Sequence, residues 1–142
     1  MAKKGIKRKA GGGPIAKFTR GLPIGAELLA SDNSGARLLN LIAVKGAKTR
    51  LSRIPSAKIG DLIICSVTKG SQKIRRQIVH AVVVRQRQRI RRSDGTIIAF
   101  YDNAAVVTNE IGDPKGSEIR GAVAKEAAER FPRIASTATM II

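Results

Sequence analysis

The chain has 142 residues, with 27 Lys and Arg against 10 Asp and Glu and a net charge of +17 at pH 7; that length suits one domain with one modest core. A single Cys and a single His exclude a disulfide scaffold, a cysteine-based zinc finger and a haem site, each of which needs more of those residues. A hydrophobic share of 43% excludes a wholly disordered basic tail, and no apolar run reaches the roughly 20 residues that cross a bilayer, so the expectation is a soluble, cytosolic domain that binds a polyanion without a membrane, metal or cofactor.

The first 20 residues carry Lys3, Lys4, Lys7, Arg8, Lys9, Lys17 and Arg20 and no acid, and three glycines and Pro14 interrupt them. Like charges and glycines keep such a segment from folding alone, so residues 1–20 read as a flexible basic arm that orders along phosphates. From Gly21 to Ile142 the pattern becomes that of a single β domain. Residues 26–30 form a first strand, and Ser31-Asp32-Asn33-Ser34-Gly35 a turn whose side chains bond their own backbone, with Asn33 a secondary RNA contact. Residues 36–44 form a second strand that carries Arg37 near its start. The loop from Lys45 to Lys58, punctuated by Gly46 and Pro55, presents Lys48, Arg50 and Arg53 to RNA grooves.

Gly60-Asp61 marks a turn before a buried strand at 62–68, and Lys69-Gly70-Ser71 turns toward another at 78–84. Next comes Arg85-Gln86-Arg87-Gln88-Arg89-Ile90-Arg91-Arg92, then Asp94-Gly95 as a hairpin turn, a returning strand at 96–101 and a closing strand at 104–108. Short strands at this spacing with glycine-rich turns predict a small closed β-barrel. A helix is expected over 122–131, with Val123, Ala127 and Phe131 on one face, Glu126 paired to Arg130, and Pro132 as the stop. The uncharged residues 134–142 are expected to pack against something.

Alternation in a strand would put Arg85, Arg87, Arg89 and Arg91 on one face at spacings of about 6.6 Å, close to the reach between phosphates. Arginine offers a donor fork that suits a phosphate and keeps its charge at any physiological pH. Arg92 adjoins that row, and Lys69, Lys73, Arg75 and Arg76 extend the same sign, with no carboxylate between Asp61 and Asp94. Residues 1–92 hold 22 bases and three acids, a balance of +19, whereas residues 93–142 hold five bases and seven acids, a balance of −2. That split implies one surface for phosphates and another for a protein partner or solvent.

Enzyme signals are poor. His80 lies in an apolar run, Cys65 reads as a small core hydrophobe, and Thr68-Lys69-Gly70-Ser71 lacks the upstream glycine and following helix of a phosphate-binding loop. Basic residues on strands and loops do not make a membrane-binding helix. Stacking on single strands wants several exposed aromatics, and only Phe18, Phe100, Tyr101 and Phe131 exist. Helix-turn-helix and zinc-finger signatures are absent. Folded RNA, read by shape and phosphates, remains.

Ala81-Val82-Val83-Val84, Asp94-Gly95, Phe100, Asn103 and Val106-Val107 form a gapped pattern over residues 81–107. It resembles the signature of the large-subunit ribosomal protein L-fourteen family, called L-twenty-three in eukaryotes. Asp32 to Arg37 resembles that family's early turn, Gly60-Asp61 its mid-chain turn, and the similarity runs from about Gly21 to Ile142. The basic arm, the loop at 45–55 and the ending Pro132-Arg133-Ile134-Ala135-Ser136 are similar to the archaeal and eukaryotic branch. The resemblance implies a mainly β fold, a five-stranded barrel with a projecting basic β-hairpin and a short C-terminal α-helical region, that binds large-subunit rRNA where the two subunits meet and contributes to intersubunit bridges. Implied partners are ribosomal proteins L-three and L-twenty-four-e, small-subunit rRNA across a bridge, and the anti-association initiation factor. On the near-neutral C-terminal stretch, Lys125, Glu126, Glu129, Arg130, Phe131 and Ile134 are the expected protein contacts. Two rivals are a free-standing oligonucleotide-binding module or RNA chaperone, and an RNA-modifying enzyme.

Overall fold

The computed structural model describes residues 19–142 except 48 and 50; the basic arm through Lys17, and the loop cations Lys48 and Arg50, lie outside the described residues. In chain order the strands are β1 (Leu22–Pro23), β2 (Glu27–Ala30), β3 (Ala36–Val44), β4 (Ser56–Ala57), β5 (Leu62–Gly70), β6 (Ile78–Arg85), β7 (Ile90–Arg91), β8 (Ile97–Ile98), β9 (Ala104–Thr108) and β10 (Ile119–Val123). Helices α1 (Lys125–Arg130) and α2 (Pro132–Thr137) follow, and β11 (Ala138–Ile141) comes last.

A closed barrel forms in the order β2-β3-β5-β6-β9. Neighbours are antiparallel except for the closing pair, where β2 runs parallel to β9 with Leu29 opposite Ala104. Closure leaves no free edge in the barrel. The register stacks Leu28 beside Leu39, Leu39 beside Val67, Leu41 beside Cys65, Cys65 beside Val79, and Ile63 beside Ala81, which in turn faces Val107. All of these are buried, so the alternate apolar residues fill the barrel interior.

Alternation fails in the barrel's last two strands, where every residue from Ala81 to Val84 and from Ala104 to Thr108 is buried. The C-terminal third covers their outer face. Val123, Ala124, Ala127 and Ile134 join the core cluster, and the Ala124 N–H donates to the Val84 carbonyl at 3.1 Å. Helix α1 lies over Gly60, where a side-chain carbon would be in ordinary contact, 3.4 Å from the Glu126 carbonyl oxygen, and it is the φ of +79° that favours glycine there.

The C-terminal region departs from the single helix expected over 122–131. Gly121 has φ +79°, which no helix interior tolerates, and Ala122 and Val123 extend β10 instead, pairing in parallel with Met140 and Ile141 of β11. Pro132 ends α1 and also opens α2 at its first turn, where a missing N–H loses no helical bond. The returning strand expected at 96–101 shortens to β8, two residues paired with β7. The uncharged tail does pack through Ile134 and β11, although Met140, Ile141 and Ile142 stay about half exposed.

Candidate nucleic-acid interface

Strand directions sort the basic loops into two groups. The connections 45–61 and 86–103 leave one end of the barrel, while 31–35 and 71–77 leave the other. At the first end Arg53, Arg87, Arg89 and Arg91 are exposed, joined by Arg20 where the described chain begins. At the second, Arg37, Lys69, Lys73, Arg75 and Arg76 are exposed. Among the described residues none of these ten forms an ion pair. The nine-residue β5, about 26 Å long at a rise of about 3.3 Å per residue, runs from the first end to the second, with Lys69 beside its far end. Lys69 to Arg76 therefore do not extend the hairpin's row but form a second pole.

The arginine-rich run does not follow one straight strand. Strand β6 ends at Arg85, the chain bends at Arg87 and Gln88, and β7 is two residues long. The Arg87 N–H donates to Asn103 Oδ1 at 2.8 Å and holds the bend. Arg85 turns away from the row. Its Nε and Nη2 donate to Asp102 Oδ1 and Oδ2 at 2.9 and 3.1 Å, and Nη1 reaches the carbonyls of Arg120 and Ala122. Gly121 makes that fit possible, because a side-chain carbon there would meet Arg85 Nη1 at 2.8 Å.

Arg92 is likewise occupied. It donates to Glu126 Oε1 at 2.6 Å and Oε2 at 3.3 Å, and to the Ile142 carbonyl at 2.8 Å. The Glu126 hydrogen bond raises the Arg92 pKa. Of the run, Arg87, Arg89 and Arg91 are left facing solvent. The turn beyond β7 is built by Gly95 at φ +89° and by Asp94, whose Oδ1 accepts the Thr96 N–H at 2.9 Å. That hydrogen bond holds the Asp94 carboxyl below its ordinary range.

Asn33 is exposed and tied to the 117 segment: its Oδ1 accepts the Ser117 N–H at 2.9 Å and its Nδ2 donates to Ser117 Oγ at 2.8 Å. Neighbouring Asp32 is buried, accepting from Ser34 Oγ at 3.0 Å and from the Val107 N–H at 3.2 Å. Burial pushes its carboxyl above 3.8, against the opposing pull of those hydrogen bonds. A folded pKa above the unfolded one means that this group's stabilisation is present below pH 3.8 and is lost as pH rises through the folded value. Unfolding free energies of the parent, relative to Asp32→Asn, should fall with rising pH across that window and then level. A rise there would refute the burial effect.

In the loop before β4, Leu51 and Ser52 have φ of 60° and 56°, and Leu51 and Ile54 project into solvent beside Arg53. The C-terminal candidates divide. Lys125 and Glu129 are exposed and pair with each other at 3.7 Å. Arg130 donates to Asp61 at 3.0 Å rather than to Glu126, and its guanidinium lies 5.8 Å from the centre of the Phe131 ring. Phe131 is half-buried over Gly112, and Ile134 is fully buried in the core, so Ile134 is not presented to a partner.

Cys65 points into the barrel, and burial pushes its thiol up to about 12, so it stays protonated and inert. His80 sits half-buried on β6 between Ile64 and Thr108. Among the described residues no three His, Cys, Asp or Glu side chains gather to hold a metal, and no helix is long and apolar enough to cross a membrane. Sequence reasoning missed Gln86, Asp102 and Gly121. Asp102 carried a usable signal, as an acid within a few residues of the hairpin's return.

Fold and surface together define a small β-barrel protein with a strongly basic surface gathered at its two ends. The family described as Ribosomal protein L14p/L23e matches residues 21–142. Relatives named large ribosomal subunit protein uL14 include one from Picrophilus torridus, 53% identical over 130 residues that cover 92% of this chain and 98% of the relative. One from Tetrahymena thermophila is 51% identical over 130 residues, covering 92% of each chain. One from Halobacterium salinarum is 51% identical over 127 residues, 89% of this chain and 96% of the relative. The chain belongs to the L14p/L23e family of large-subunit ribosomal proteins, which are structural and not enzymes.

Proposed function

We propose that this structural constituent of the ribosome binds large-subunit rRNA through phosphate and shape contacts at the subunit interface and contributes to intersubunit bridges. The observation that carries the reading is the set of ten exposed cations without carboxylate partners, gathered at two barrel ends. Unneutralised charge of one sign repels itself unless a polyanion supplies the counter-charge. Two poles at opposite ends of the barrel suit two RNA segments, one in the large subunit and one in small-subunit rRNA across a bridge. The exposed C-terminal residues Lys125, Glu129 and Arg130, with half-exposed Phe131, are the proposed contacts for ribosomal proteins L-three and L-twenty-four-e and for the anti-association initiation factor.

Arg87→Ala with Arg89→Ala should weaken binding to a large-subunit rRNA fragment and reduce the slope of log K against log salt by about 0.7–0.9 for each phosphate no longer neutralised. An unchanged slope would remove the hairpin from the interface. In sucrose gradients the chain should travel with large subunits and full ribosomes through moderate salt. A purely free pool would sink the assembly reading.

A further inference from the structure

Tyr101 is the single tyrosine of the chain and, among the described residues, the one aromatic side chain wholly exposed to water. It borders a groove of about 360 Å³, within the roughly 300–1,000 Å³ of small-molecule sites. Ile98, Phe100 and Ala122 supply apolar walls, and the Arg85–Asp102 ion pair supplies the polar part. Each Asp102 carboxylate oxygen accepts one hydrogen bond from Arg85, at 2.9 and 3.1 Å, and keeps a second lone-pair site on a side chain 32% exposed. The groove thus combines an aromatic face, apolar walls and an anionic acceptor. It also adjoins the arginine run. The Phe100 N–H donates to the Gln86 carbonyl at 3.2 Å and the Arg87 N–H to Asn103 Oδ1 at 2.8 Å, so the segment 100–103 lies against residues 86 and 87.

We propose that this groove takes one unstacked guanine of the bound rRNA, its ring on Tyr101, its donor edge on Asp102 and its flanking phosphates on Arg87 and Arg89. This rests on the RNA-binding reading above. One exposed aromatic cannot hold a run of bases, but it suits a single base turned out of a loop or bulge of a folded RNA. The carboxylate selects among bases. Guanine brings two adjacent donors, N1–H and the N2 amino group, to its two oxygens. Adenine and cytosine bring an amino group beside a ring acceptor, and the one N–H of uracil lies between two carbonyls that a carboxylate repels. An apolar protein side chain would use the walls but answer neither the carboxylate nor the unpaired arginines alongside.

With one tyrosine and no tryptophan in the chain, its intrinsic emission reports Tyr101 alone. Saturating the full chain with a large-subunit rRNA fragment should quench that emission as a base stacks on the ring. Tyr101→Ala and Tyr101→Leu should each bind the fragment about tenfold more weakly, and Tyr101→Phe within about twofold of the parent. The slope of log K against log salt should stay unchanged in all three, because no phosphate contact is lost. Thermal transitions verify that each variant is folded, which a wholly exposed position permits. Among short probes, the RNA pentamer UUGUU should quench the parent at several-fold lower concentration than UUUUU. Equal quenching by the two removes the guanine edge from Asp102 and overturns the assignment. A parent that binds the fragment with unchanged emission, or a Tyr101→Ala variant of full affinity, overturns the base site and leaves the RNA-binding reading standing. Parental affinity in Tyr101→Leu makes the contact apolar rather than stacked and overturns it as well. A parent that does not bind the fragment fails at the RNA-binding reading itself, and the base site falls with it.

Discussion

Arg85→Met is expected to lower the unfolding free energy by about 3 kcal/mol, even though Arg85 lies in the run that supplies the phosphate-facing arginines. Its side chain is 12% exposed and makes four hydrogen bonds, two to the Asp102 carboxylate and two to the carbonyls of Arg120 and Ala122. Methionine can fill most of the volume, but it leaves a part-buried carboxylate without a counter-charge and two carbonyls without their donor. Denaturant unfolding should show a lower midpoint at an unchanged slope. Arg85→Lys should recover little, because an ammonium cannot fork onto both carboxylate oxygens and still span two carbonyls. A double-mutant cycle with Asp102→Asn gives the coupling directly. Coupling below about 0.5 kcal/mol would place the pair with ordinary solvated surface bridges.

That expectation separates arginines that a sequence reading treats alike. Arg85, Arg87, Arg89, Arg91 and Arg92 look interchangeable along the chain, and a straight strand would put four of them on one face. Gln86 and Ile90 keep the alternation, both buried on the side opposite Arg87, Arg89 and Arg91, and it is the bend at Arg87 and Gln88, with Gln88 exposed, that interrupts the strand. Asp102 and Glu126 then select Arg85 and Arg92, and neither acid is near its partner in sequence. Long-range selection of this kind leaves no periodic trace.

The barrel was legible for the opposite reason. Alternation in β3 and β5, and the unbroken apolar runs of β6 and β9, are local signals of one-sided and two-sided burial. The strands expected at 36–44 and 104–108 coincide with β3 and β9. The C-terminal third misled because residues 122–131 have helical spacing while Gly121 and the parallel pairing with β11 hold their first two positions extended. Propensity yielded there to tertiary pairing. The two poles were hidden as well, since the cations at 69–76 adjoin the hairpin in sequence and lie at the other end of the barrel.

Ile134→Ala is the second large effect, an expected loss of about 3 kcal/mol within the usual range of about 2–5 for a buried aliphatic truncated to alanine. Ile134 is fully buried on α2, a helix of six residues with no side-chain cap, and is the one buried residue that helix contributes to the core. So short a helix has almost no stability of its own, so its position depends on this anchor. Downstream, α2 leads directly into β11, whose pairing with β10 places Ile142, and the Ile142 carbonyl accepts from Arg92. The truncation should therefore act beyond its own cavity: amide exchange should accelerate across 132–142 and at Arg92, while the interior of β3 and β5 stays protected to the global limit. Ile141→Ala, at a half-exposed site on the same strand, should cost under about 1 kcal/mol. If Ile134→Ala proves as mild as Ile141→Ala, the C-terminal cover is not anchored through α2, and Ile134 returns to the set of residues free to meet a protein partner.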